Sequence, residues 1–258
     1  MVRVFHLRRP DRAWMMVRMQ RMGTAAIALA AAAALVAGAT AAGPGPREFG
    51  ESVQDRDLRA IRIGSSDHRH RVLVIGSIHG DEREGHEIIR RLRRKRPDVE
   101  PALWTIRSLN PDGARAGSRV NARGVDLNRN FPYRWRATEP PGSGYYQGPK
   151  PASEPETRAA MRLIRHLEPD VTIWYHQPWG QVLAPCRGSA APEKLYARIA
   201  RMPVNRCRGA HLRGTATSWQ EHRVGGTAFV VELAGGKLGD AAVRRHARAV
   251  VRVANRFG

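Results

Sequence analysis

The segment from Val72 to Glu87, VLVIGSIHGDEREGHE, constrains the fold more than any other part of the chain. Its first residues are nearly all aliphatic, which is typical of a strand buried on both faces of a parallel sheet. The strand runs directly into a polar turn that carries His79 and Glu82. At the end of a strand, a histidine and a glutamate at this spacing can converge on one metal ion. The segment therefore predicts an α/β fold with its chemistry at one edge of the sheet.

Apolar runs of the same kind recur along the chain and alternate with amphipathic segments. Alternation of strands and helices predicts one α/β domain, a three-layer α/β/α fold with a mixed, mainly parallel central sheet. The predicted strands are Leu58 to Ile63, as an outer strand, then Arg71 to Ile78, Ala102 to Leu109, Val171 to Tyr175 and Ala228 to Leu233. The predicted helices include one around Ile88, one opened by a capping box of Ser153 and Glu156, one around Ala191 to Met202, and a last one from Asp240.

The N-terminus predicts export. Six arginines precede a span from Gly23 to Gly45 that has no charged residue and is mostly alanine. This order is typical of a signal peptide, and Ala39-Thr40-Ala41 offers a cleavage site. We therefore assign residues 1–42 to a signal peptide, 43–48 to a linker and 49–258 to the folded domain, and expect a secreted or extracytoplasmic protein. Because the apolar span is about long enough to cross a bilayer, a retained membrane anchor is the alternative.

The charge of the chain suggests an anionic neighbour. The formal net charge is +21 and the pI is about 11.5, yet the arginines are scattered along the chain. The composition therefore fits either a solvated surface or electrostatic association with an anionic wall polymer, a membrane surface or nucleic acid, and we expect wall polymers and no specific nucleic-acid site. The cysteines, Cys186 and Cys207, can pair in an exported chain or remain free thiols.

Four candidate residues lie at or just beyond the ends of predicted strands: His79, Glu82, His176 and Glu232. In a parallel sheet, ligands gather at the carboxyl ends of the strands. Two histidines and a carboxylate form the ligand set of a catalytic zinc ion, which keeps a fourth position for water. Glu232 follows an apolar run, so a partly desolvated carboxylate suited to proton transfer is expected there. Taken singly, each residue could instead be an ordinary surface group or an ion-pair partner.

The long segment from Asn110 to Pro151 supplies candidates for substrate binding. It is rich in Gly, Pro and Asn, and it has little apolar periodicity. Asn128 and Arg129 place an amide beside a guanidinium, a pair that can hold a carboxylate. Arg119 is a second cation, which we expect to be free to polarise a carbonyl oxygen.

Five motifs in order give the chain a family resemblance: SIHGDE, NPDG, SRVNARGVDLNRNFP, HQPWG and FVVELAGG. From about Phe49 onward, the chain resembles the zinc metallocarboxypeptidases, and within them the murein peptide amidase branch. The resemblance implies one Zn²⁺ bound by His79, Glu82 and His176, with Glu232 as general base and acid. It further implies that Arg119 polarises the scissile carbonyl, and that Asn128 and Arg129 bind a substrate carboxylate. The mobile tyrosine of the digestive members is missing, since Ala210 and His211 occupy the corresponding positions.

The expected function is zinc-dependent hydrolysis of an amide bond in a peptide with a free carboxylate, at the γ-D-glutamyl–diaminopimelate bond of cell-wall peptides. We expect a monomer. The alternatives are a general metallocarboxypeptidase, a small-molecule N-acyl deacylase, and a secreted polyanion-binding protein without enzymatic activity.

Overall fold

The computed structural model describes residues 47–64, 69–184, 190–206 and 213–258. The predicted signal peptide or anchor, both cysteines and His211 lie outside these ranges, and so do most of the predicted linker residues. Within them, no helix combines the length and apolar composition of a membrane span.

The described strands form one mixed sheet. Their spatial order is β1-β2-β4-β3-β5-β8-β6-β7. The neighbours β4-β3-β5-β8 are mutually parallel, whereas β2 runs antiparallel to β4, and β6 antiparallel to β8. The strands are β1 Arg47–Glu51, β2 Asp57–Ile63, β3 Arg71–Ile75, β4 Ala102–Ile106, β5 Val171–His176, β6 Trp179–Leu183, β7 Val204–Asn205 and β8 Thr227–Ala234.

Helices cover both faces of this sheet. Side chains of a strand alternate between its faces, so Val72 and Val74 of β3 join one buried cluster while Leu73 and Ile75 join the other. The first cluster includes residues of α1, α4 and α6, and the second includes residues of α3 and α5. The predicted three-layer α/β/α fold is confirmed. The helices are α1 Gly85–Lys95, α2 Pro111–Ala116, α3 Pro155–Leu167, α4 Ala191–Ala200, α5 Ala216–Arg223 and α6 Asp240–Phe257.

The edges of the sheet differ from the predictions. Arg47 and Glu48 belong to β1 and not to a linker, and β1 rather than β2 is the outer strand. The short strands β1, β6 and β7 were not predicted, nor were α2 and α5. Apart from β6, these elements carry few apolar residues, and pairing with a neighbouring strand or packing on the sheet defines them.

The predicted capping box at the start of α3 is wrong. The helix begins at Pro155 without a side-chain cap. The buried Glu156 carboxylate instead accepts hydrogen bonds from the Val53 amide at 3.1 Å and from Asn121 Nδ2 at 3.2 Å. Ser153 Oγ donates to Glu154 Oε1 at 2.7 Å. The start of α3 is therefore held by the turn after β1, because a buried carboxylate needs several donors.

Candidate active site

The predicted metal ligands meet where the strand order reverses. The chain moves from β3 to β4 on one side and later to β5 on the other, and such a reversal opens a crevice at the carboxyl ends of the strands. His79 and Glu82 lie in the turn after β3, and His176 ends β5. Glu232, on β8, is paired in register with His176. The structure thus brings together the four residues that the sequence placed at strand ends.

The donor atoms of His79, Glu82 and His176 form a small triangle. His79 Nδ1 lies 2.9 Å from Glu82 Oε1, and His176 Nδ1 lies 2.8 Å from Glu82 Oε2. The two Nδ1 atoms are 3.2 Å apart. All three side chains are largely buried, and together they form the group of described residues suited to hold a metal ion.

This triangle fits a zinc ion. Donors bound to one tetrahedral Zn²⁺ at about 2.1 Å lie roughly 3.4 Å apart, slightly more than the observed spacings. His79 Nε2 lies 3.1 Å from Asp126 Oδ1, and a neutral His79 that donates its proton there presents a bare Nδ1 to the Glu82 carboxylate, so these two acceptors need a cation between them or a second proton on His79. A cation satisfies all three donors at once. The side-chain hydrogen bonds from His176 and His79 outweigh burial and hold the pKa of Glu82 well below its usual range, so this ligand is ionised.

Close backbone packing shapes the turn that carries the ligands. A Cβ on Gly80 would come within 2.0 Å of the Gly113 carbonyl carbon. Gly113 belongs to the NPDG motif, where Asn110 Oδ1 accepts its amide at 2.9 Å and caps α2. The SIHGDE and NPDG motifs therefore form one packed unit, and the predicted NPDG turn is the first turn of α2.

Asp126 orients one ligand, a role that the sequence did not reveal. His79 Nε2 donates to Asp126 Oδ1 at 3.1 Å, which leaves Nδ1 directed at the donor triangle. The hydrogen bond from His79 and the charge of Arg119 outweigh burial and lower the pKa of Asp126 to about 2. The position of this aspartate between Val125 and Leu127 was the available signal, because it predicts a buried carboxylate that needs partners.

Arg119 lies at the site as predicted, but its guanidinium is not free. Nη2 and Nε donate to Asp126 Oδ2 at 2.9 and 3.2 Å, and Nη1 donates to Glu82 Oε1 at 3.2 Å. The side chain is 24% exposed. Asp126 therefore fixes both His79 and Arg119, and the guanidinium keeps one accessible edge.

Asn128 and Arg129 occupy a 3-10 turn, Leu127–Arg129, next to Asp126. Asn128 Oδ1 accepts the Ala216 amide at 3.1 Å, so its Nδ2 group remains as the donor. Arg129 is half-buried, and its Nη1 donates to the Asn128 carbonyl at 2.9 Å. The ring of Tyr145, 53% exposed, lies 4.9 Å from Arg119 Cζ and 5.9 Å from Arg129 Cζ. Tyr145 therefore belongs to the site, although the sequence had not suggested it.

Glu232 is a buried carboxylate with a free oxygen. Its residue exposure is 6%, and Oε2 has no hydrogen-bond partner in the described part of the chain. Burial, assisted by the negative charge of Glu82, raises the pKa of Glu232 to about 7. A carboxyl group with such a pKa can both accept and donate a proton near neutral pH.

Comparison with known proteins agrees with this geometry. A family profile described as zinc carboxypeptidase matches residues 46–192. The chain belongs to the zinc carboxypeptidase family. Over 188 residues it is 32% identical to murein peptide amidase A of Escherichia coli K12, an alignment that covers 68% of this chain and 76% of that protein.

Solved structures of the family have the same fold. The murein-tripeptide amidase of Escherichia coli O157 superposes with a TM-score of 0.66 at 26% identity, over 82% of this chain and 92% of that one. Carboxypeptidase A of Helicoverpa armigera superposes with a TM-score of 0.71 at 16% identity, over 83% and 68% of the two chains. The protein is thus a hydrolase of this family, and the family implies zinc for the His79, Glu82 and His176 group.

Proposed function

We propose that the protein is a zinc-dependent amidase that cleaves the γ-D-glutamyl–diaminopimelate bond of cell-wall peptides. One observation carries the proposal: three metal donors converge beside a buried carboxylate that has a free oxygen, Glu232. The similarity to murein peptide amidase A favours a wall peptide over other amides. We further propose that the protein is exported through its N-terminal leader and acts as a monomer outside the cytoplasm.

The metal site and Glu232 have separate roles in hydrolysis. A zinc ion held by His79, Glu82 and His176 would supply Lewis acidity toward a water molecule and the scissile carbonyl. Glu232 accepts a proton from the attacking water and later donates one to the leaving amine. Its pKa of about 7 suits both steps, because neither protonation state is strongly disfavoured near neutral pH.

Two guanidinium groups and one side-chain amide bind and orient the substrate. The guanidinium of Arg119, fixed by Asp126, donates toward the carbonyl oxygen as negative charge develops on it. Asn128 Nδ2 and the Arg129 guanidinium bind the free carboxylate of the leaving residue. A substrate carboxylate bound by these two residues favours cleavage of a bond next to a carboxylate-bearing residue, such as diaminopimelate in a wall tripeptide.

The substrate is tested with purified tripeptide, L-Ala-γ-D-Glu-diaminopimelate. The full chain is incubated with it alone, with a chelator, and with the chelator followed by added zinc. We expect release of diaminopimelate that the chelator stops and zinc restores. Failure to release it under all three conditions would remove the proposed substrate.

A comparison panel separates the alternatives. It contains N-blocked dipeptides with ordinary C-terminal residues and N-acyl amino acids. Faster metal-dependent cleavage of the dipeptides would identify a general carboxypeptidase, and faster cleavage of the N-acyl amino acids a deacylase. If no substrate is cleaved while the chain binds polyanions, the non-enzymatic alternative is favoured.

A further inference from the structure

The exposed face of α6 carries a regular row of arginines. Arg244, Arg248, Arg252 and Arg256 are all exposed, and each follows the previous one by four positions. Residues four apart lie on the same side of a helix. At a rise of about 1.5 Å per residue, the row is roughly 18 Å long, with about 6 Å between successive arginines.

The neighbouring helix α4 completes a groove. One cavity of about 530 Å³ is lined by Lys194 and Arg198 of α4 and by Arg252 and Arg256 of α6. A second, of about 510 Å³, is lined by Arg201 and by arginines of α6 that include Arg244 and Arg248. Ile199 and Arg252 line both cavities, which are therefore adjacent. We call this surface the cationic groove; its cations are Lys194, Arg198, Arg201, Arg244, Arg245, Arg248, Arg252 and Arg256.

The arginines of the cationic groove have no acidic ion-pair partner among the described residues, whereas Lys194 has an acidic neighbour in the buried Glu193. Among the described residues, no acidic side chain lines either cavity, and no ion pair includes a cation of the groove. Elsewhere the arginines do have acidic partners, as Arg59 has in Glu48 and Asp57. Like charges four residues apart destabilise a helix. A row of them without interleaved acids therefore has a cost for folding that an anionic ligand would remove.

We propose that the cationic groove binds a linear polyol-phosphate polymer of the bacterial cell wall. The groove is concave and elongated, so it suits a chain that lies along α6 and presents one phosphate to each successive arginine. Arginine is also well suited to phosphate, because its planar guanidinium can donate two parallel hydrogen bonds.

The side chains of the groove disfavour two other polyanions. Its apolar residues, Leu195, Ile199 and Phe257, are only partly exposed. The large hydrophobic side chains that are exposed in the described structure, Tyr145 and Trp179, belong to other elements. A bilayer surface would be bound more tightly by exposed apolar residues that insert between lipids. A single-stranded nucleic acid would gain most from exposed aromatic rings on which bases stack.

The groove is structurally connected to the turn that carries the metal ligands. The loop between β8 and α6 donates the Leu238 amide to Glu84 Oε2 at 2.8 Å, and Glu84 follows that turn. The N-terminal end of the groove is therefore attached to the catalytic edge of the sheet. A polymer bound along α6 would keep the enzyme at the wall while its active site remains open.

Binding is measured by fluorescence anisotropy with the full chain and a labelled poly(glycerol phosphate) oligomer at several salt concentrations. The double variant Arg248→Gln/Arg252→Gln is expected to bind roughly tenfold more weakly at physiological salt, and to lower the slope of log K against log salt by about 1.4. The matched control, Arg94→Gln/Arg162→Gln, removes the same charge from exposed positions of α1 and α3. It is expected to bind like the wild type.

Two outcomes overturn the proposal. Equal loss of affinity in both double variants would mean that net charge, and not the groove, binds the oligomer. Tighter groove-dependent binding to oligo(dT) or to phosphatidylglycerol vesicles would assign the groove to another partner. Hydrolysis by the variants is measured in parallel to show that they are folded, and the binding result does not depend on which substrate is hydrolysed.

A different observation supports a second inference, which rests on the proposed function. We infer that Tyr145 is a positioning residue for the two substrate-binding arginines. Its ring lies over the guanidinium groups of both Arg119 and Arg129. The ring is held by a short turn, in which Ser143 Oγ accepts the Tyr145 amide at 3.2 Å and the Tyr146 carbonyl accepts the Asp126 amide at 2.8 Å. A planar guanidinium that is stacked on a ring keeps its edge free for hydrogen bonds to substrate.

The test compares Tyr145→Phe with Tyr145→Leu, on whichever carboxylate-bearing peptide the wild type hydrolyses. We expect the Leu variant to raise KM about tenfold, because about 1.4 kcal/mol of substrate binding through Arg129 is lost, and also to lower kcat, because Arg119 polarises the carbonyl oxygen in the transition state. The Phe variant retains the ring and should restore the wild-type KM. An unchanged KM in the Leu variant, or a loss that Phe does not restore, would overturn the inference. Failure of the proposed function would instead appear as a wild type that does not cleave the wall tripeptide.

Discussion

The carboxylates of the active site differ in their neighbours, and these differences separate their roles. Glu82 and Asp126 accept hydrogen bonds from neighbouring side chains. These bonds keep the pKa of both carboxyl groups low, so both groups are ionised. Glu232 has a free oxygen, and burial, followed by the negative charge of Glu82, raises its pKa to about 7. Environments that separate the pKa values of neighbouring acids are typical of sites in which one carboxylate transfers protons and the others bind or orient.

Replacing Glu232 by Gln tests its role in proton transfer. The amide has nearly the same size but cannot accept the proton of water, so we expect kcat to fall by about 10²–10⁴-fold. Bound zinc should be unchanged, because Glu232 is not part of the donor triangle. The control is Glu168→Gln, at the exposed end of α3. Loss of zinc together with activity would instead show that Glu232 supports the metal site.

Replacing Asp126 by Asn tests whether this residue orients His79. The amide can no longer hold the Nε2 proton of His79 with a negative charge, so we expect zinc affinity to fall about 10–100-fold. Competition with a chromophoric chelator measures this change. Asp81→Asn is the matched control, since Asp81 is exposed in the same turn as the ligands. Equal losses in both variants would mean that local charge alone determines affinity.

At the scale of secondary-structure elements, sequence patterns predicted the strands that are buried on both faces. The strands β3, β5 and β8 are apolar on both faces, so their composition alone reveals them, and the residues at their ends gave the metal ligands and Glu232. Asp126 and Tyr145 were missed because their roles depend on contacts that only the folded chain makes, those of Asp126 with His79 and of the Tyr145 ring with two arginines. His79 is 47 residues from Asp126 in sequence. Arg119 lies beside the metal donors, but its pairing with Asp126 was not predicted, because the sequence of a loop does not show which of its side chains face each other.

Gly80→Ala tests the packing of the metal turn against α2. The added Cβ would meet backbone atoms of Gly113 and Ala114, at 2.0 and 2.3 Å, so the turn between His79 and Glu82 must move. We expect at least a tenfold loss of zinc affinity, because both ligands lie on this turn. Gly239→Ala is the control, since a Cβ there meets nothing within 4 Å. Zinc titrations that give the same affinity for Gly80→Ala and the wild type would contradict this role.

At the scale of the whole molecule, one of the two cores contains a polar network. Tyr175 and Tyr196 share a hydrogen bond at 2.8 Å, and Tyr196 contacts His246 Nδ1 at 2.8 Å. These residues come from β5, α4 and α6. Sequence patterns identify such positions only as buried. The hydrogen-bond donors and acceptors come from three elements that are distant in the chain.

This network predicts a loss of stability in mild acid. Burial, followed by the charge of Arg245, lowers the pKa of His246 from 6.5 to about 4. The unfolded chain therefore binds a proton at His246 at higher pH than the folded protein does. Its contribution to folding is complete above pH 6.5 and is lost as pH falls toward 4, by on the order of 3 kcal/mol in total.

Urea unfolding at pH 7.5 and 4.5 measures this loss. Both measurements include a chelator, so that protonation of the metal ligands affects every variant equally. His246→Gln keeps a polar partner for Tyr196 but does not titrate, and its free energy of unfolding should therefore fall less between the two pH values than that of the wild type. His166→Gln, at an exposed position of α3, should retain the wild-type difference. If His246→Gln also retains it, the acid sensitivity originates elsewhere, and His86, whose pKa burial lowers to about 4, becomes the next residue to replace.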